Sequence, residues 1–71
     1  MKLYVAEIQD INSFRKADEI EVKDMAAAKR KASQMRCFEG TVLEIGDSVD
    51  ENGFLTNKIC RKVDGKWMDI D

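Results

Sequence analysis

Lys29, Arg30, Lys31 and Arg36 gather four of the chain's twelve cationic residues into one short stretch, although the formal net charge is −2. Ammonium and guanidinium groups this close together hold oxyanions, whether phosphates or carboxylates. A second basic segment, Lys58 to Lys66, carries +3 from Lys58, Arg61, Lys62 and Lys66 against Asp64. Between the two lies an acidic one, Glu44 to Glu51, at −4. Such segregation makes a dipolar surface that steers and orients a charged partner.

Other chemistry finds few residues to carry it. The chain has no histidine, so the usual nucleophile–base triads and most general acid–base pairs are missing. Cys37 and Cys60 stand 23 residues apart and belong to no CxxC or Cys/His cluster. They read as small hydrophobic thiols rather than zinc ligands. Ser48 to Gly53 begins like a calcium loop, but position 12 would be Ile59 where a bidentate glutamate is required. No glycine-rich loop has the spacing that cradles a nucleotide phosphate. The expectation is therefore a binding protein, not an enzyme, with no cofactor and no metal.

The elements that must position the cations can be read from pattern. Leu3 to Ile8 is rich in strand formers and apolar on both faces, which predicts a central strand. Asp10 to Asp18 is turn and loop chemistry, and Glu19 to Lys23 alternates with Ile20 and Val22 inward. Asp24 is a good helix N-cap, followed by Ala26, Ala27 and Ala28. Met25, Ala28, Ala32 and Met35 recur at helical spacing and form the core stripe. Lys29, Ser33 and Arg36 then share one flank, Lys31 takes the other, and Arg30 points away from the core. Cations late in a helix also suit its dipole without any ligand.

Gly40 breaks the helix, Thr41 to Ile45 reads as a strand, and Gly46 to Gly53 as a polar hairpin loop. Phe54 to Val63 is expected to form one long strand, with Lys58 and Lys62 on the face of Cys60 and Arg61 on the other. Asp64-Gly65 is a strong hairpin signal before a last strand, Lys66 to Ile70. The prediction is an α+β fold: about five antiparallel strands, the last three a meander, with one helix on one sheet face.

Seventy-one residues make a single compact domain, residues 1–71. No run approaches the roughly 20 apolar residues of a membrane span, and Met1 to Ile8 resembles no targeting peptide. Tyr4, Phe14, Phe38, Phe54 and Trp67 are scattered, with no pair set for base stacking beside the basic cluster. Most are needed in so small a core, Phe14 in the polar loop being the one available for contact. An acidic chain also lacks the broad basic footprint of autonomous DNA binding.

The order Ile11-Asn12-Ser13, Ala28-Lys29-Arg30, Ala32-Ser33, Cys37-Phe38, Gly40-Thr41-Val42, Asn52-Gly53 and Asp64-Gly65-Lys66-Trp67 resembles the ninth family of type I-F anti-CRISPR proteins. The resemblance covers nearly the whole chain and is weakest between Glu44 and Arg61. It implies a mobile-element protein acting in the cytoplasm of the bacterial host. Such a protein binds backbone subunits of the type I-F crRNA-guided surveillance complex, the Csy complex, and blocks hybridisation of target DNA. Non-specific double-stranded DNA contact by the inhibited complex is part of the same implication. The basic helix would be the contact element: Lys29 and Arg30 match its basic positions. Gln34 stands where a lysine is expected and Arg36 where a glutamine is expected. Lys58 or Lys62 would supply a late-strand lysine, and Ser33 completes the partner-binding set. Two other readings stay open from the residues alone: a phage or mobile-element module that binds nucleic acid directly, and an accessory domain for some other host protein.

Overall fold

The computed structural model describes residues 1–8, 16–36 and 40–70. The Asp10–Ser13 turn, Phe14, Cys37 and Phe38 lie outside the described residues. Strands β1 (Lys2–Ile8) and β2 (Asp18–Glu21) precede helix α1 (Met25–Met35), and β3 (Val42–Gly46), β4 (Lys58–Val63) and β5 (Lys66–Asp69) follow it. The strands form one sheet in the order β2-β1-β3-β4-β5, every pair antiparallel. This is the expected α+β architecture, with β3, β4 and β5 as the meander. The two-faced apolar character of β1 fits its interior place, with β2 on one side and β3 on the other.

Alternation decides which residues face the helix. Leu3 and Val5 of β1, Ile20 of β2, Leu43 and Ile45 of β3 and Cys60 of β4 form one buried cluster with Ala28 and Ala32. Each large aliphatic side chain buried there contributes roughly 1.5–3 kcal/mol. The two alanines are fully buried, and their small side chains bring the helix backbone close to the sheet. Met25, Met35, Val22, Ile59 and Trp67 close the rim. At the helix start Asp24 is extended, and its Oδ1 accepts the Ala27 N–H at 2.8 Å. No basic residue occupies the last helical turn, so the dipole does not account for Lys29, Arg30 and Lys31, which sit mid-helix.

The long strand Phe54–Val63 is shorter than its sequence pattern suggests. The Asp50 carboxylate accepts the backbone N–H groups of Asn52 (2.8 Å) and Phe54 (3.0 Å), turning the chain before it can extend. An isolated bridge, Val49 with Leu55, flanked by the Thr56 N–H to Ser48 carbonyl and Asp50 N–H to Phe54 carbonyl bonds, stands in for a ladder there, and β4 itself begins at Lys58. The loop is tied down by Asp47, whose N–H donates to the Asn57 carbonyl at 3.2 Å and whose Oδ1 accepts from Asn57 Nδ2 at 2.8 Å. Two shorter adjustments follow from pairing. β2 spans Asp18–Glu21, with the Val22 N–H still donating to the Met1 carbonyl across from it, and β3 runs one residue later than its pattern.

Between β3 and β4 the register shifts: Ile45 faces Cys60, but Gly46 faces Lys58. One extra residue, Ile59, is accommodated on β4, so Lys58 and Cys60 no longer point the same way. The expectation that Lys58 and Lys62 share a face fails for this reason. The β4–β5 turn has Asp64 at φ 50° and Gly65 at φ 79°, the two left-handed residues of a type I′ hairpin.

Gly46 is the tight point of the bulge. A Cβ there would stand 2.6 Å from the Asn57 carbonyl oxygen and 3.0 Å from Leu55 Cδ2. Gly46→Ala is therefore expected to cost about 1–3 kcal/mol, read from the urea midpoint of unfolding. A variant as stable as the parent would show that the loop yields freely.

Candidate functional site: a basic helix flank joined to the last hairpin

Helix α1 and the β4–β5 hairpin meet along one line of side chains. Lys29 and Ser33 lie one turn apart on the helix flank above the hairpin, and Lys62 and Trp67 are cross-strand partners beneath them. The Lys62 ammonium donates to Ser33 Oγ at 2.9 Å, and Ser33 Oγ in turn donates to the Lys29 carbonyl at 3.1 Å. Both ammonium groups lie over the indole of Trp67, Lys29 Nζ at 5.9 Å and Lys62 Nζ at 5.8 Å from its centroid. Lys29, Ser33 and Lys62, all expected from the sequence, are thus brought together around Trp67, which was not. Trp67 was grouped with the core aromatics; it is half-buried against the core and also sits beside the basic cluster. Only the long-range pairing of β5 onto β4 reveals this, and no local pattern encodes it.

Lys58 occupies the opposite face of the sheet. Its ammonium pairs with Glu44 Oε1 at 3.1 Å, and Arg61 donates to Glu44 Oε2 from Nε at 3.0 Å and Nη2 at 2.8 Å. The Glu44 side chain is 2% exposed, while those of Lys58 and Arg61 are 40% and 43% exposed. A buried carboxylate is thereby satisfied by two cations whose stems cover it. Glu44 was counted in the acidic segment, but it is an internal counter-ion. Much of the charge of the second basic segment is therefore spent inside the fold.

The helix cations are not spent in this way. Among the described residues, none of Lys29, Arg30, Lys31 and Arg36 takes part in an ion pair. Arg30, Lys31 and Gln34 are exposed, and Lys29 and Ser33 are half-buried. Arg36 departs from the outward position expected of it. Its Nη2 donates to the Thr41 carbonyl at 3.2 Å, and its Nε is buried with no hydrogen-bond partner among the described residues. It ties the helix exit to the start of β3.

Elsewhere the chemistry is structural. Cys60 is buried and free, and desolvation pushes its thiol pKa up, with the Lys29 ammonium opposing and Asp69 adding to the rise. A thiol so held is a poor nucleophile. A crevice of about 60 Å³ is lined by Val5, Glu7, Lys16, Asp18, Ala32, Met35 and Leu43. That is far below the roughly 300 Å³ at which small-molecule sites begin. Glu7, read as part of an apolar strand, is buried and accepts the Thr41 hydroxyl at 2.8 Å.

Among solved structures, AcrIF9 superposes on this chain with a TM-score of 0.74 and 38% sequence identity, over 100% of this chain and 87% of that one. No family model and no curated protein sequence matches it.

The two sets of cations should separate on mutation. Glu44→Ala is expected to cost about 1–3 kcal/mol through lost charge-assisted hydrogen bonds, and Arg30→Ala no more than about 0.5 kcal/mol. Denaturant titration of both variants checks this, and equal losses would contradict the division.

Proposed function

The chain belongs to the AcrIF9 family of type I-F anti-CRISPR proteins, and from that premise we propose that it binds backbone subunits of the crRNA-guided surveillance complex and blocks target DNA hybridisation. The observation that carries this reading is the uncompensated charge of helix α1. Among the described residues Lys29 and Arg30 have no counter-ion, whereas Lys58 and Arg61 are neutralised by Glu44. An acidic protein that leaves one basic face unpaired has left it for a partner.

The contact face consists of Lys29, Arg30, Ser33 and Gln34 on the helix, continued by Lys62 on β4. The late-strand lysine of this face is Lys62, because the bulge sends Lys58 to the other side of the sheet. Arg36 supports the face by fixing the helix exit. Inhibition by occupancy needs no catalysis: a surveillance complex must keep a cationic channel open for nucleic acid, and a small bound domain closes it. Acidic residues on the remaining surface, such as Glu51 and Asp64, would lie favourably against channel cations. Non-specific duplex contact by the inhibited complex would draw on Arg30 and Lys31, both exposed. The site of action is the host cytoplasm.

Co-purification with a reconstituted type I-F complex, followed by target-DNA binding, tests the reading. The parent protein should associate and suppress hybridisation, and the pair Lys29→Glu with Arg30→Glu should abolish association while leaving the thermal midpoint nearly unchanged. No association with any type I-F complex would overturn it. Duplex binding by the free protein that weakens steeply with salt would instead support a direct nucleic-acid module.

A further inference from the structure

We propose that Trp67 is a positioning residue of the contact face: its indole pins the Lys29 and Lys62 ammonium groups as a pair that receives one carboxylate side chain of the protein partner. The inference rests on the proposed binding of the surveillance complex and deepens it.

Two ammonium groups within 6 Å of one ring centroid repel each other, and lysine side chains on a surface normally separate into water. Here both are held. The π face attracts them, and the Ser33 hydroxyl fixes Lys62 from the helix side. Ser33 is itself anchored to the Lys29 carbonyl one turn back on the helix, so the helix backbone sets where Lys62 is held, while the ring holds Lys29. The arrangement lacks an anion. Asp69, two residues beyond Trp67 on the same face of β5, makes no ion pair with either lysine, nor does any other described carboxylate. A bridging oxyanion would relieve the repulsion and use donors already in place. That is preorganisation: the partner need not bear the entropy of gathering two long side chains.

The observations favour a protein carboxylate over a phosphodiester. The indole is covered by ammonium groups, so it offers no bare platform for a nucleobase. The pair sits in a half-buried recess between helix and hairpin, which suits a single reaching side chain. Duplex DNA requires a broad basic stripe, and the next cations along β4 are bound to Glu44 on the other face.

The test measures dissociation from an immobilised reconstituted type I-F complex for the parent, Lys29→Ala, Ser33→Ala, Trp67→Leu and the double variant K29A/W67L. Binding of each to a short DNA duplex is measured in parallel. Lysine Hε resonances are recorded for the free proteins. The parent should show Lys29 and Lys62 methylene signals shifted upfield by the indole ring current, and W67L should lose the shift. W67L should dissociate about tenfold faster, S33A should move in the same direction without touching the core, and K29A/W67L should be little worse than W67L alone. Unshifted lysine signals, additive losses, or a W67L variant that binds the complex like the parent would overturn the inference. So would a W67L defect confined to duplex DNA, which would make the ligand a phosphate. Inert K29E/R30E beside a parent-like W67L removes this inference and leaves the proposed function standing. A parent that never associates removes both.

Discussion

The approach of the Gly46 backbone to the Asn57 carbonyl is the constraint on which the arrangement of charge depends. Only a residue without a side chain permits that contact. The contact accommodates the bulge, and the bulge decides which way the β4 side chains point. With Lys58 turned to the open face of the sheet, it can join Arg61 on Glu44. Lys62, past the bulge, stays on the helix side and reaches Ser33. A regular ladder would have put both lysines beneath the helix and left Glu44 with one cation fewer.

Two populations of basic residues follow, alike in sequence and different in physics. Those on the open sheet face are half-covered and act as counter-ions for a buried carboxylate, so they belong to folding. Those on the helix flank have no counter-ion among the described residues, which is why the proposed contact draws on them. Net charge says nothing of this division, because a −2 chain can still present an unneutralised basic surface when its anions are engaged elsewhere. Asp47 and Asp50 are engaged in that sense, since each holds the polar loop together through its carboxylate.

Local pattern carried much of this fold. The Asp24 cap, the Met25-Ala28-Ala32-Met35 stripe and the Asp64-Gly65 turn are each decided within a few residues, and each stands where its chemistry requires. Most departures need contacts beyond the window of a local pattern, though the Asp50 turn and the Arg36 contact lie within a few residues. The bulge arises from β3 meeting β4 through a loop whose Asp50 captures two amides. Trp67 joins the site through β5 pairing on β4. Arg36 turns inward to a carbonyl that becomes available only once β3 is docked. Helical spacing placed Lys29 and Ser33 on one flank, but which strand would lie under that flank was not legible.

The helix is held to the sheet almost wholly through Ala28 and Ala32, both fully buried, with two methionines at its ends. Alanine stems ask nothing of the outward residues, and methionine adapts to small shifts. Arg30, Lys31 and Gln34 can therefore be exchanged with little penalty to the fold. In a contest between inhibitor and host, that separation matters. On the proposed contact, a host subunit that alters its surface can be followed by substitutions on an already folded helix, so the sequence of that face can drift while the scaffold beneath it stays fixed.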